Sequence, residues 1–270
     1  MAAIVRHPVV AGRFYPEEAR VLREEVSSYI SPTNHKIPAL GCIVPHAGYV
    51  YSGHVAGAVY SKIAIPNRCI VLCPNHTGRG QPLSIMSSGE WETPLGHVPI
   101  DSALASALKE KLAFLAEDPE AHRAEHATEV QIPFLQVLNP QFSIVPITVG
   151  TGQFEMLEAL GFAMAEVLVQ ESKPVLMIAS SDMNHYESDQ ITRLKDRKAI
   201  DQILALDARG LFDVVAKENI SMCGFGPVVA MLTAARQLRA THAELVKYAT
   251  SGDVSGDRNM VVGYAGVTVN

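Results

Sequence analysis

Leu40-Gly41-Cys42-Ile43-Val44-Pro45-His46 and, further on, Cys69-Ile70-Val71-Leu72-Cys73-Pro74-Asn75-His76 decide how this 270-residue chain is read. Each is a short apolar run that ends in proline and delivers a histidine, the pattern of a strand buried on both faces. Between them, after the glycine-containing turn 46–53, the small-residue stretch 54–64 suits a helix packed closely on a sheet. Strand, helix and strand make a βαβ unit. Its right-handed crossover is expected to set His46 and His76 at the same edge of neighbouring parallel strands. A third run, 175–179, ends in Ser180, Ser181 and Asp182, with His185 just beyond. Ligands bind outside the carboxyl ends of strands in open α/β sheets, so three polar endings of this kind point at one cleft.

Working outward, residues 17–30 have helical periodicity after Pro16, residues 82–87 and 89–94 read as a short strand and a turn, and 102–115 as a helix. A further helix starts near Ala127 and runs to Leu138, with Pro133 in its first turns, where proline is tolerated. Residues 142–149 read as a strand, 154–170 as a helix, and 192–206, 211–217 and 227–239 as helices, the last entered from the loop 222–226. Residues 244–250 and 261–269 close the chain as strands joined by the polar turn 251–259. Strands alternating with helices predict an α/β fold with a central mixed, mostly parallel sheet flanked by helices. No linker, charge block or internal repeat divides the chain, so residues 1–270 are expected to form one domain.

The formal charge of −6 with no basic run argues against nucleic acid or an anionic membrane as partner. The first eight residues lack the apolar stretch of a secretory signal, and no segment reaches the roughly 18 apolar residues of a membrane span. A cytoplasmic protein acting on a small molecule or a protein partner is the expectation. Cys42, Cys69 and Cys73 lie in apolar runs and read as small buried hydrophobes. Cys223 differs, because Met222-Cys223-Gly224-Phe225-Gly226-Pro227 is a glycine-flanked loop running into a helix whose unpaired amides favour a thiolate.

Two neutral imidazoles on adjacent strand ends supply half of a tetrahedral metal site, which makes His46 and His76 candidate ligands. The third ligand is open among Cys223, Asp182, Glu129 and His185. Asp182 and His185 share a turn, where a carboxylate can orient an imidazole for general-base work; Asp182 could instead cap a helix from Met183 onward. Glu125-His126-Ala127-Thr128-Glu129 begins a helix, so capping accounts for part of it, and His126 is a fourth histidine for the same cleft. His7, His35, His97, His122 and His242 have no comparable context and are assigned to the surface. Tyr15, Tyr49 and Tyr51, on glycine-containing turns, are placed at the mouth.

The segments Ala11-Gly12-Arg13-Phe14-Tyr15-Pro16, Pro45-His46-Ala47-Gly48-Tyr49-Val50-Tyr51-Ser52-Gly53, Pro74-Asn75-His76, Glu125-His126-Ala127-Thr128-Glu129, Ser180-Ser181-Asp182-Met183-Asn184-His185 and Met222-Cys223-Gly224 occur in the order seen in the Memo-like proteins. The chain resembles that family, whose prokaryotic members are called AmmeMemoRadiSam system protein B, from about Val10 to its end. The resemblance implies a fold similar to the LigB-type class III extradiol dioxygenases, which use non-haem Fe(II). It matches His46 and His76 to the metal histidines, His185 to the catalytic base and His126 to a second pocket histidine. Cys223 falls where those dioxygenases have a glutamate. A thiolate there shifts preference towards softer metals and removes the facial triad used for oxygen activation. The resemblance further implies iron or copper as cofactor, with zinc compatible, and a link to AMMECR-like and radical SAM proteins. The eukaryotic member is a redox-active copper- or iron-binding protein that docks phosphotyrosine peptides in this cleft.

Three functions are compatible with these residues. In the first, His46, His76 and Cys223 hold a metal while Asp182, His185 and His126 move protons for an oxidoreductase acting on a small substrate. In the second, the histidine-lined pocket docks a partner protein or peptide without catalysis. In the third, Cys223 is a nucleophile activated by a histidine.

Overall fold

The middle of the sheet is four parallel strands, Gly41–Val44, Leu176–Ser180, Arg68–Pro74 and Ser143–Val149, lying side by side in that order. The computed structural model describes residues 4–33 and 35–270, so residues 1–3 and 34 of the expected domain lie outside the description. The order corrects one expectation. The strands leading to His46 and His76 are not neighbours, because Leu176–Ser180 is inserted between them: its Ala179 pairs with Ile43 on one side and with Leu72 on the other. An apolar run shows that a strand is interior; it carries no mark of which strand lies beside it. Since all three run the same way, His46 and His76 still emerge at one edge, now with residues 180–182 between them.

Val261–Val269 extends this core antiparallel to Gly41–Val44 and carries both Ala243–Thr250 and His185–Glu187 along its length. On the other side Leu83–Ile85 runs antiparallel to Ser143–Val149, with Ala116–Glu117 beyond it, completing a nine-stranded sheet. Where a turn is expected at 89–94, the chain forms a hairpin of Glu90–Thr93 and Gly96–Pro99, joined to Val5–Arg6 as a separate three-stranded sheet.

Side chains alternate across the sheet with the strand period of two. Ile43, Ile70, Leu72, Val145, Ile147, Met177 and Ala179 face one apolar layer, under the helices Ser102–Lys111, Phe154–Gln170, Ala208–Lys217 and Phe225–Gln237. Cys42, Val44, Cys69, Val71, Leu176 and Ile178 face the opposite layer, under Ala19–Tyr29, Tyr49–Lys62 and Ile132–Leu138. Burying each such aliphatic side chain stabilises the fold by about 1.5–3 kcal/mol, which makes the parallel core a firm base for residues at its edge. Cys42, Cys69 and Cys73 are wholly buried, and burial pushes the Cys69 and Cys73 thiols up to about 12, as suits inert core residues.

Four helices start earlier than their periodicity suggests, Ala208–Lys217 and Phe225–Gln237 by a few residues and two others with a clear cause. Tyr49–Lys62 opens on Gly48, with the Tyr49 amide donating to the Phe14 carbonyl at 2.8 Å, so the stretch expected as a turn is the first helical turn. Asp189–Leu204 opens on Ser188, whose hydroxyl accepts from the Ile191 amide; Asp182 therefore caps no helix. Among the described residues no helix is long and apolar enough to cross a membrane.

Candidate metal centre

His46 leaves its strand through Pro45 and lies almost wholly buried, with 2% of its surface exposed. Its amide donates to Asp182 Oδ1 at 2.8 Å, its ring Nδ1 lies 2.9 Å from Ser180 Oγ, and its Nε2 is 3.2 Å from Cys223 Sγ. Burial, reinforced by the nearby His76, pushes its pKa down to about 3, so the imidazole is neutral at physiological pH. His76 is more open. Its amide donates to Glu125 Oε2 at 2.7 Å and its Nδ1 to Oε1 at 2.9 Å, since a carboxylate only accepts. Burial would lower the His76 pKa, but the hydrogen bond and charge of Glu125 outweigh it and raise the value. For Glu125 the same pairing outweighs the upward push of its own burial and brings the carboxyl down to about 2.

Cys223 arrives from the opposite side, on the loop before the helix Phe225–Gln237. Gly224 allows the approach, because a Cβ there would overlap the Ser180 carbonyl and the Ser181 side chain. The sulfur accepts the Asp182 amide at 3.3 Å. Burial pushes its thiol well up, so without a compensating positive charge the sulfur keeps its proton. One donor atom each from His46, His76 and Cys223 lie within 4.8 Å of one another.

His126 and His185 border this cluster. The His126 ring stacks on His76 with centroids 4.7 Å apart, sits edge-on to His46 at 5.5 Å, and meets Phe14 at 4.8 Å. Burial, then the neighbouring His46, pushes its pKa down to about 4. His185 Nδ1 donates to the Ser221 carbonyl at 2.8 Å, which leaves its Nε2 lone pair unused.

Several expected roles change. Glu129 is no ligand: its carboxylate is wholly buried against the Arg6 guanidinium, the Val9 and Val10 amides and the Tyr15 hydroxyl. Asp182 does not hold the His185 ring, whose Nδ1 is taken by Ser221; it ties the His46 backbone instead, and burial pushes its carboxyl up. Tyr15 and Tyr49 are buried, with hydroxyls donating to Glu129 and to the Val130 carbonyl, which leaves Tyr51 alone of the three in contact with solvent. His122 is not on the surface but wholly buried, its Nδ1 3.0 Å from Thr148 Oγ1, while His7, His35, His97 and His242 are exposed. Sequence reading put Ser180 at the cleft but missed its place behind His46, and it missed Glu125 as a site residue. Glu125 looks like a cap, and it does accept the Ala127 amide at 2.9 Å; only its second role, behind His76, is hidden.

The donors suit a transition metal on chemical grounds. Two imidazole nitrogens and a thiolate form a borderline-soft set, and three protein ligands leave one position for substrate or water. Ideal tetrahedral bonds place a sulfur and a nitrogen sharing an ion about 3.5 Å apart. The 3.2 Å between Cys223 and His46 needs a shift of only a few tenths of an ångström to match. Nδ1 of each histidine is engaged by an oxygen from behind, as ligand imidazoles almost always are.

An α/β sheet with a histidine–thiol cluster at the carboxyl ends of its parallel strands defines the class of this protein. A family model described as Memo-like protein matches residues 6–268, and the chain belongs to that family. It is 42% identical to a MEMO1 family protein of Methanothermobacter thermautotrophicus, over 97% of this chain and 99% of that one. It is likewise 42% identical to a MEMO1 family protein of Methanosarcina barkeri, over 98% of this chain and all of the other. A crystal structure of an uncharacterized protein from Escherichia coli K12 has the same fold at 13% identity, with a TM-score of 0.52, covering 83% of this chain and 98% of that one.

Proposed function

We propose that this Memo-like protein is a metal-dependent oxidoreductase in which His46, His76 and Cys223 hold iron or copper and a small organic substrate enters the cleft. The observation that carries the reading is the convergence of two imidazoles and one thiol within 4.8 Å, each imidazole tied by an oxygen on its far nitrogen. The bound metal would supply one-electron redox and Lewis-acid chemistry at the open position. The chain's own residues do the rest. His76 lies on the solvent side and His46 on the buried side, so the substrate approaches over His76 and His126. His126, neutral at physiological pH, stacks on His76 and lines that approach. His185 offers its Nε2 as the base, with its ring oriented by the Ser221 carbonyl. Asp182 holds the His46 backbone and, through its own amide, the Cys223 sulfur, so it sets the distance between the two ligands.

Elemental analysis of anaerobically purified protein, with reduced iron and copper offered separately, tests the reading. One metal per chain in the wild type, lost in both His46→Ala and Cys223→Ser, is expected. A wild type that takes up neither metal, or variants that keep it, would overturn it.

A further inference from the structure

Behind His46 lies a chain of buried polar groups whose hydrogens can be counted. Ser180 Oγ donates to the Ala127 carbonyl at 2.7 Å, which uses its single hydrogen, since a carbonyl only accepts. Two further groups reach the same oxygen, Gln131 Nε2 at 2.9 Å and His46 Nδ1 at 2.9 Å, and both must then be donors. The Gln131 amide cannot turn round. Its Nε2 also donates to the Pro45 carbonyl at 2.9 Å, and its Oε1 accepts the Tyr60 hydroxyl at 3.0 Å, so a flip would set two acceptors face to face at Pro45. Tyr60, Gln131 and Ser180 are all wholly buried, so solvent is not at hand to repair a wrong arrangement.

A neutral imidazole carries one ring hydrogen, and this chain requires it on Nδ1. We infer that Tyr60, Gln131 and Ser180 hold His46 in the Nδ1–H tautomer, so that its Nε2 lone pair faces Cys223, and that Gln131 and Ser180 are positioning residues of the centre. The other tautomer would lose the bond to Ser180 and put a hydrogen where a ligand needs a lone pair. The consequence for metal affinity rests on the metal-binding reading above; the tautomer itself does not.

The test uses the metal-free full chain labelled with ¹⁵N-histidine, in which long-range ¹H–¹⁵N spectra show which nitrogen of each ring is protonated. His46 signals are assigned by their loss in His46→Ala. Cobalt(II) alone serves as the metal probe. The wild type is expected to show His46 protonated at Nδ1. Ser180→Ala and Gln131→Met are expected to reduce that signal in favour of Nε2–H and to weaken cobalt binding roughly 10–100-fold, the usual effect of losing a partner behind a ligand. Ser180→Thr, which restores the hydroxyl, should recover both. Wild-type His46 protonated at Nε2, or an unchanged tautomer in both Ser180→Ala and Gln131→Met, would overturn the inference. The tautomer spectra decide the positioning role even if the wild type binds no cobalt, and the metal reading stands or falls on the iron and copper test above.

Discussion

Glu125 and Glu129 stand four residues apart in the chain, both wholly buried, yet their carboxylates serve different partners. Glu129 faces the amino-terminal segment and is met by a guanidinium, two amides and a phenol. Glu125 faces the cleft and is met by the His76 ring and amide and by the Ala127 amide. Arg6 joins the two, because one of its nitrogens binds the Glu129 carboxylate and another donates to the Glu125 carbonyl at 2.5 Å. The lesson is that a buried carboxylate takes its role from its partners. A permanent cation makes a structural clamp, whereas a histidine that also reaches the cleft makes a support for the site. Asp196 is the third case: an amide and the Tyr248 hydroxyl bind it, with no cation bonded to it among the described residues, and burial pushes it up to about 7.

The largest effect should come from breaking the clamp. Glu129→Ala leaves the Arg6 charge buried without its partner and is expected to cost about 3–5 kcal/mol, read as a fall in the urea midpoint. Metal stoichiometry of the fraction that stays folded should be unchanged, and its loss would merge the two roles that the comparison separates.

Asp196 sharpens the contrast through pH. Its folded pKa is raised above the unfolded value near 4, so its contribution is fully present below pH 4 and is lost as pH rises through about 7. Urea stability should lose about 2–4 kcal/mol over that window. Asp196→Asn should remove this slope; an unchanged slope would place the titration elsewhere. Glu125 has the opposite sign. Depressed to about 2, it stabilises the fold above pH 4 and loses that contribution as pH falls towards 2.

At Glu125 the expected readout is affinity. Glu125→Gln keeps the shape but sets an amide NH₂ against the Ala127 or His76 N–H, and should weaken metal binding roughly 10–100-fold by competition titration. Equal affinity would sink the claim that this carboxylate supports His76. The smallest effect belongs to Tyr15→Phe, which removes one of several donors to Glu129 and should cost about 1 kcal/mol in the same urea assay. A cost matching that of Glu129→Ala would mean that the phenol, not the guanidinium, holds the clamp.

Much of the site was legible because strand ends are. Pro45-His46, Pro74-Asn75-His76 and Ser180–Asp182 each follow an apolar run, and the glycines beside Cys223 announce a tight loop at a helix start. Glu125, Ser180 and Gln131 were not legible as supports. A carboxylate at a helix start, a serine ending a strand and a glutamine inside an apolar helix each have an ordinary local explanation. Tyr15 and Tyr49 misled for a related reason, since a tyrosine on a glycine turn looks the same whether its hydroxyl meets solvent or a buried acceptor.

The sequence by itself determined the α/β class, the strands that make the core, the edge at which the site lies and the residue types that compose it. Apolar period and length set the elements, and the carboxyl ends of parallel strands set the edge. Tertiary structure alone decided that Leu176–Ser180 lies between the two histidine-bearing strands, that Cys223 Sγ reaches His46 Nε2 while Glu129 is held by Arg6, and which oxygen stands behind each imidazole. Those are pairings between residues 49 to 177 positions apart, and a periodic pattern read along one chain carries no information about them.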